Sequence, residues 1–240
     1  MGEAAGEILS RGAGELGITL SGAQLSQFDK FTSLLLEWNR KFNLTRITEP
    51  EEIAVKHYLD SLSLLAFIEP PTGSAIIDIG TGAGFPAVPL KIARPDMRIA
   101  MLDSVRKKLA FLEAAVLALG LADVELIHGR AEDMGRIGVY REHYDFAVSR
   151  AVSKLNVLAE LCIPFCRVGG RFAAYKGPDV DEEISEAEKS LLALGGELEA
   201  VHRFVLPCSD TRRSLVLVKK IRQTPSRYPR KSGVPERTPL

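Results

Sequence analysis

Asp78-Ile79-Gly80-Thr81-Gly82-Ala83-Gly84 gathers three glycines and a carboxylate at the end of the short strand-like run Ala75–Ile79. Glycines there let a chain turn tightly and let a ligand come against the backbone. A plain strand-to-helix turn could use them as well. The dinucleotide fingerprint G-x-G-x-x-G fails, because the sixth position counted from Gly80 is Phe85, too large where a helix must close on a strand. No Walker lysine follows, which argues against a nucleoside triphosphate cradle. What remains is a small ligand held by backbone, with Asp78 suited to an ammonium group.

Four further strand ends carry chemistry. Asp103 stands 23 residues past Gly80, where a carboxylate can accept from both hydroxyls of a ribose. It can equally cap the helix that follows, and the two roles are compatible. The third strand leads into His128-Gly129-Arg130-Ala131-Glu132-Asp133, where a backbone amide and a carboxylate could read the polar edge of an adenine. The alternative there is a surface loop. The fourth ends in Ser149-Arg150-Ala151-Val152, where Arg150 serves a site more readily than a surface ion pair. Lys176 ends the fifth strand on the same side and is suited to a phosphate.

The elements that must position these residues can be read from periodicity. Residues 3–16 read as a helix ended by Gly17. Ser21 caps a second, whose apolar face is Leu25, Phe28, Phe31, Leu35, Trp38 and Phe42. Thr48 caps a third that runs to about Phe67, before Pro70-Pro71-Thr72-Gly73 breaks the chain. Short apolar strands then alternate with helices: strands at 75–79, 98–102, 124–128, 144–149 and 171–175, helices at 85–93, 105–119, 155–166 and 179–194. Two last strands, 197–206 and 214–220, form an antiparallel hairpin. This is the pattern of an α/β fold, a seven-stranded, mostly parallel, doubly wound sheet with helices on both faces. The chain thus divides into three regions: a helical appendage over 1–73, a ligand-binding domain over 74–223, and a Pro-rich arm over 224–240, expected to be extended.

The turn Asp-x-Gly-x-Gly-x-Gly resembles that of Rossmann-like class I methyltransferases, which bind S-adenosyl-L-methionine. In order and spacing the pieces are similar to one family, the bacterial small-subunit ribosomal RNA methyltransferase G, also called glucose-inhibited division protein B. The resemblance rests on Trp38-Asn39, Asn43-Leu44-Thr45, His57-Tyr58-Leu59-Asp60-Ser61-Leu62, Asp78 to Pro86, Ser149-Arg150-Ala151, Lys176-Gly177 and Arg227-Tyr228-Pro229-Arg230-Lys231-Ser232-Gly233-Val234-Pro235. It covers about residues 25 to 240. Ala87 departs from it, standing where the family usually has glycine.

The resemblance implies methyl transfer from S-adenosyl-L-methionine to N7 of a guanine in 16S ribosomal RNA. It implies Gly80, Phe85, Ala131, Glu132 and Arg150 as cofactor contacts, beside Asp78, Gly82, Gly84 and Asp103 from the motif reading. Phe85 enters by resemblance alone. Guanine N7 has a lone pair and no proton, so no general base is expected, and Arg150 and Lys176 are expected to position rather than to move protons. Consistent with this, neither an Asn-Pro-Pro-Tyr nor an Asp-Pro-Pro-Tyr motif follows the fourth strand. His57 is as well read as a core or capping histidine as a substrate contact, and Asn39, Asn43 and Asp60 as ties of the appendage to the sheet.

Charge qualifies the partner. The chain has 31 basic and 31 acidic residues, yet nine of the basic ones lie between Arg212 and Leu240 against a single acid, Glu236, leaving a body of net −8. Arg212, Arg213, Arg227, Arg230 and Lys231, with Lys176, are the candidate contacts to the small-subunit RNA. A solvated tail is the equal alternative. Cys162, Cys166 and Cys208 give neither a disulfide framework nor a zinc motif, so no metal is expected, and the first two read as core residues one helical turn apart. No run reaches membrane-span length and the acidic N-terminus is unlike a secretory signal, so a cytoplasmic monomer is expected. Two other functions stay open: methylation of a small molecule or protein, and RNA binding without catalysis. Salt-dependent RNA binding and cofactor binding, respectively, distinguish them.

Overall fold

The computed structural model describes residues 1–150 and 153–240. All five residues of β1 (Ala75–Ile79) are buried, as a strand covered on both faces must be. β2 (Arg98–Asp103) and β4 (Tyr144–Ser149) pair with it in parallel on either side. β3 (Val124–His128) lies outside β2, and β5 (Cys166–Lys176) outside β4. β6 (Gly196–Val205) and β7 (Arg212–Lys220) form the expected hairpin, with β7 antiparallel to both β5 and β6. The order is β3-β2-β1-β4-β5-β7-β6. It reverses between β1 and β4, so a ligand crevice opens beyond the carboxyl ends of those strands.

The N-terminal helices are α1 (Glu3–Glu15) and α2 (Gly22–Phe42). Ser21 and Gln24 form a reciprocal capping box at the start of α2. Asn43 ends it in the left-handed conformation, at φ 48°. One continuous helical run comes next: α3 (Pro50–Ile53), a π-helical turn (Ala54–Leu59) and α4 (Asp60–Phe67). Its cap is Glu49 rather than the expected Thr48, with Pro50 as the first helical residue. Leu9, Phe28, Phe31, Tyr58 and Leu62 share one buried cluster with Ile76, Val88, Phe111 and Val148, so these helices cover one face of the sheet.

Helices α5 (Ala87–Ala93) and α6 (Arg106–Leu119) flank β2, and the single turn α7 (Ala131–Met134) comes after β3. On the other face are α8 (Leu155–Cys162) and α9 (Asp181–Leu194). Two boundaries differ from the sequence reading for a physical reason. Helix α5 begins two residues later than expected, because Gly80, Gly82 and Gly84 all have positive φ and keep the chain in a turn through Phe85. Helix α8 stops at Cys162, because Pro164 has no N–H to continue it, and Ile163–Phe165 is a 3-10 turn. Cys166 therefore starts β5 and is not on a helix with Cys162, although both are buried.

The C-terminal arm is not extended. Thr224, Tyr228, Pro229 and Pro235 are buried, and Val234–Arg237 forms a short helix, α10.

Candidate active site

The glycine turn is held from below by Asp78 and from beside by Asp103. Asp78 is wholly buried; its Oδ2 accepts from Thr81 Oγ1 at 2.7 Å and from Ala87 N at 3.2 Å. Its Oδ1 has no partner. Burial pushes its carboxyl up to about 7. Asp78 thus braces the turn from inside, and its carboxylate does not line the cleft as a partner for an ammonium group. Ala87, the departure from the family pattern, supplies one of the two donors through its backbone, so the added methyl leaves that bond intact.

The three glycines do different work. A side chain at Gly80 would meet nothing within 4 Å, so this glycine, at φ 72°, faces open space. Gly82 donates its N–H to Asp103 Oδ2 at 3.0 Å. Gly84 is a packing glycine: a Cβ there would come 2.6 Å from Val88 and 2.8 Å from Leu112. Asp103 also caps the next helix, Oδ1 accepting from Val105 N at 2.8 Å, and Lys108 Nζ lies 3.3 Å from Oδ2. The capping reading of Asp103 is therefore real and coexists with its place on the cleft wall.

That cleft, about 240 Å³, is lined by Gly80, Asp103, Lys108, Ala131, Glu132 and Ser149 among others. An open backbone at Gly80, a carboxylate at the second strand end and Glu132 beside a backbone amide form a donor and acceptor set that fits S-adenosyl-L-methionine. Ser149 closes the floor by donating to Ile79 O at 2.9 Å.

Arg150 turns away from this cleft into a second, larger one of about 510 Å³. Its Nη1 donates to Asp60 Oδ2 and to Lys56 O, both at 3.0 Å, and its Nη2 to His57 Nδ1, also at 3.0 Å. The guanidinium stands 4.9 Å from the centre of the Phe85 ring, and His57 stacks on the same ring at 4.3 Å. Phe85 is thus the platform under His57 and Arg150 and, among the described residues, does not line the first cleft. Because Arg150 can only donate, Nδ1 accepts and Nε2 carries the proton, which goes to Thr45 Oγ1 at 2.8 Å. Burial, reinforced by the Arg150 charge, pulls His57 down to about 3. Asn39 ties the loop by accepting from Thr45 N at 2.9 Å, and Asn43 turns it.

The second cleft is basic. Lys56, Arg150, Lys154, Lys176 and Arg213 line it against Asp60 and Glu183. Lys176 is nearly buried and paired with Glu183 at 2.6 Å, and it also donates to Ser153 O. Arg213 Nε is 3.3 Å from Asp60 Oδ1. The two clefts share Ser153. Ala151 and Val152, the rest of the fourth-strand motif, lie outside the described residues.

The basic tail divides. Arg212, Arg227 and Lys231 are exposed. Arg230 is not a phosphate contact: it is committed to the wholly buried Glu160, with Nη2 to Oε2 at 2.6 Å, because a buried carboxylate requires a partner. Sequence reasoning passed over Lys108 and Ser153. Lys108, five residues past Asp103 on the helix facing the cleft, was legible from helical spacing. Ser153 depends on how the chain leaves β4. Among the described residues no cluster of three or more His, Cys, Asp or Glu is placed to hold a metal, and no helix is long and apolar enough to cross a membrane.

Known proteins share this fold. TYW2 of M. jannaschii, solved with AdoMet, superposes with TM-score 0.54 at 13% identity over 68% of this chain and 76% of its own. Aeropyrum pernix fibrillarin, solved with natively bound S-adenosyl-L-methionine, gives 0.51 at 19% over 67% and 73%. These likenesses establish the class I methyltransferase fold. A family model described as rRNA small subunit methyltransferase G matches residues 24–216. The ribosomal RNA small subunit methyltransferase G of Desulforamulus reducens is 47% identical over 97% of both chains, and that of Alkaliphilus oremlandii 49% over 98% of both. The chain belongs to the rRNA small subunit methyltransferase G family.

Proposed function

We propose that the protein transfers a methyl group from S-adenosyl-L-methionine to N7 of a guanine in 16S ribosomal RNA, working in the cytoplasm on the small subunit or its RNA. The observation that carries this reading is the pair of clefts meeting at Ser153, one built around Gly80, Asp103 and Glu132 and the other basic. When bound, the cofactor supplies an electrophilic methyl on a sulfonium. Gly80, Asp103, Ala131 and Glu132 hold and orient it. The basic cleft admits the target nucleotide with its phosphate, through Arg150 and the lysines around it.

No proton need be removed from N7, and the residues support that economy. Both ring nitrogens of His57 are engaged, and it stays neutral through the physiological range. Its part is to hold Arg150 over Phe85. Catalysis then consists of alignment and exclusion of water between the two clefts. The RNA surface continues from the basic cleft to Arg212 and to the exposed cations Arg227 and Lys231. The test is to incubate small-subunit RNA with methyl-labelled cofactor and map the label: label on N7 of one guanine supports the reading, and label elsewhere or none refutes it.

A further inference from the structure

The basic C-terminal segment is fastened to the loop and turn after β3, on the wall of the cofactor cleft. Arg141 donates from Nη1 to Tyr228 O at 2.8 Å and from Nη2 to Thr224 O at 2.6 Å. Arg136 Nη2 donates to Arg227 O at 3.2 Å. Arg230 then anchors the segment on α8. Its backbone N donates to Glu160 Oε1 at 2.7 Å, and its side chain holds both oxygens of that carboxylate. Beyond this anchor the chain turns back to the cleft. Ser232 Oγ donates to Asp133 Oδ2 at 3.0 Å, and Gly233 N–H donates to Glu132 Oε1 at 2.7 Å. Gly233 reaches that position in the left-handed conformation, at φ 78°.

We propose that the segment Tyr228–Arg237 is a strut of the cofactor site, which fixes Glu132 through Gly233 N–H and Asp133 through the Ser232 hydroxyl. It rests on the reading that the turn around Glu132 borders the cofactor. A glutamate whose carboxylate has no partner samples several rotamers, and a ligand that needs one of them must freeze it. With Oε1 already held by Gly233, Oε2 of the nearly buried Glu132 is left for a donor on the ligand. Part of the ordering cost is thus met before the ligand arrives. Because coupling is reciprocal, a ligand that tightens the Glu132 turn must also tighten the segment by the same factor. The part of the tail that looks most like an RNA-binding arm in sequence also serves the cofactor, through Ser232 and Gly233 rather than through its exposed cations.

The test uses the full chain and four variants, with cofactor affinity measured by calorimetry and folding checked by thermal melt. A chain terminated after Lys231 keeps the Arg230–Glu160 pair and removes only residues 232–240, among them Ser232 and Gly233. Gly233→Val places a branched side chain at a φ it tolerates poorly, whereas Gly233→Asn suits that φ. The terminated chain and Gly233→Val should bind the cofactor roughly tenfold more weakly, on the order of one hydrogen bond to a charged group. Gly233→Asn should bind as the parent does. In the parent protein the cofactor should slow tryptic cleavage after Lys231 and Arg237, a readout independent of methyl transfer. Glu132→Ala separates the proposal from the reading beneath it. If Glu132→Ala weakens cofactor binding while the terminated chain and Gly233→Val bind as the parent does, the strut is refuted and the reading of Glu132 stands. If Glu132→Ala itself binds normally, the reading of the turn fails and the strut with it. Should the terminated chain not fold, the Gly233 pair and the cleavage rates decide, and unslowed cleavage overturns the proposal.

Discussion

Nδ1 of His57 accepts a hydrogen bond from Arg150 at 3.0 Å, so a residue of the N-terminal helices sets the direction of a residue at the end of β4. The π-helical turn that carries His57 is the local device. It packs an extra residue into the turn and brings the ring flat over Phe85. With Asp60 and Lys56 O on its other nitrogen, Arg150 is fixed before any substrate enters.

The acid side of the stability profile should report this. The folded pKa of His57, about 3, lies below its unfolded value, so the folded state binds fewer protons in between. Its contribution is present above pH ~6.5 and is lost as pH falls toward the folded value, by about 1 kcal/mol per pH unit. In His57→Gln the melting temperature should fall less between pH 6.5 and about 4.5 than in the parent. Parallel curves for the two proteins would contradict the assignment.

Catalysis gives a second readout of the same residue. A general base would make methyl transfer fall below the pKa of that base. A positioning residue lowers the rate evenly across pH. His57→Gln should therefore reduce the rate at saturating cofactor by roughly ten- to a hundredfold, the scale of a misplaced reactant, without moving the pH profile. A profile whose acid limb vanishes in the variant would make His57 a base.

At the glycine turn, Gly80→Val should weaken cofactor binding while the protein remains folded. The added atoms enter open space on the cleft side, at a φ that a branched residue tolerates poorly. The same change at Gly84 should reduce stability instead, since its Cβ would collide with Val88 and Leu112. Calorimetry and thermal melts on both variants distinguish the two glycines, and equal cofactor affinity in Gly80→Val would remove Gly80 from the site.

Asp103→Asn should lower cofactor affinity by roughly 1–3 kcal/mol, the range for hydrogen bonds to a charged group. It should also lower the melting temperature, because Gly82 N and Val105 N each use one of its oxygens and an amide offers only one acceptor. Loss of stability with an unchanged dissociation constant would leave Asp103 as a cap and turn brace alone.

For the RNA surface, charge reversal at Arg212, Arg227 and Lys231 should flatten the dependence of log RNA affinity on log salt. Each lost phosphate contact removes about 0.7–0.9 of slope, depending on strand form. Arg230 does not belong in that set. Reversing it would place a second carboxylate against that of the buried Glu160 and detach the segment. An unchanged slope in the triple variant would confine RNA binding to the basic cleft.

Much of the fold was legible in local pattern. The strand–helix alternation and the closing hairpin come from periodicity, and Ser21 announced its cap, although the reciprocal bond from Gln24 did not show. The glycine turn marked the cleft, but not which glycine faces it. That depends on Val88 and Leu112, which arrive from neighbouring helices. The place of Phe85 beneath His57 and the pairing of Arg230 with the buried Glu160 are contacts between residues far apart in the chain, and no spacing rule encodes them. Charge counting treated all tail cations alike, whereas the buried Lys220 is spent on Glu142 and Arg230 on the buried Glu160.

Phe31 of α2 lies with its ring centre 5.6 Å from Phe85 and 6.0 Å from Phe111 of α6. The aromatic platform of the site is therefore the same packing that seats the N-terminal helices on the sheet. Heat cannot loosen those helices and leave the site intact, nor dissolve the site and leave the helices in place. Calorimetric unfolding should show one cooperative peak, and loss of methyl transfer on warming should track it degree for degree.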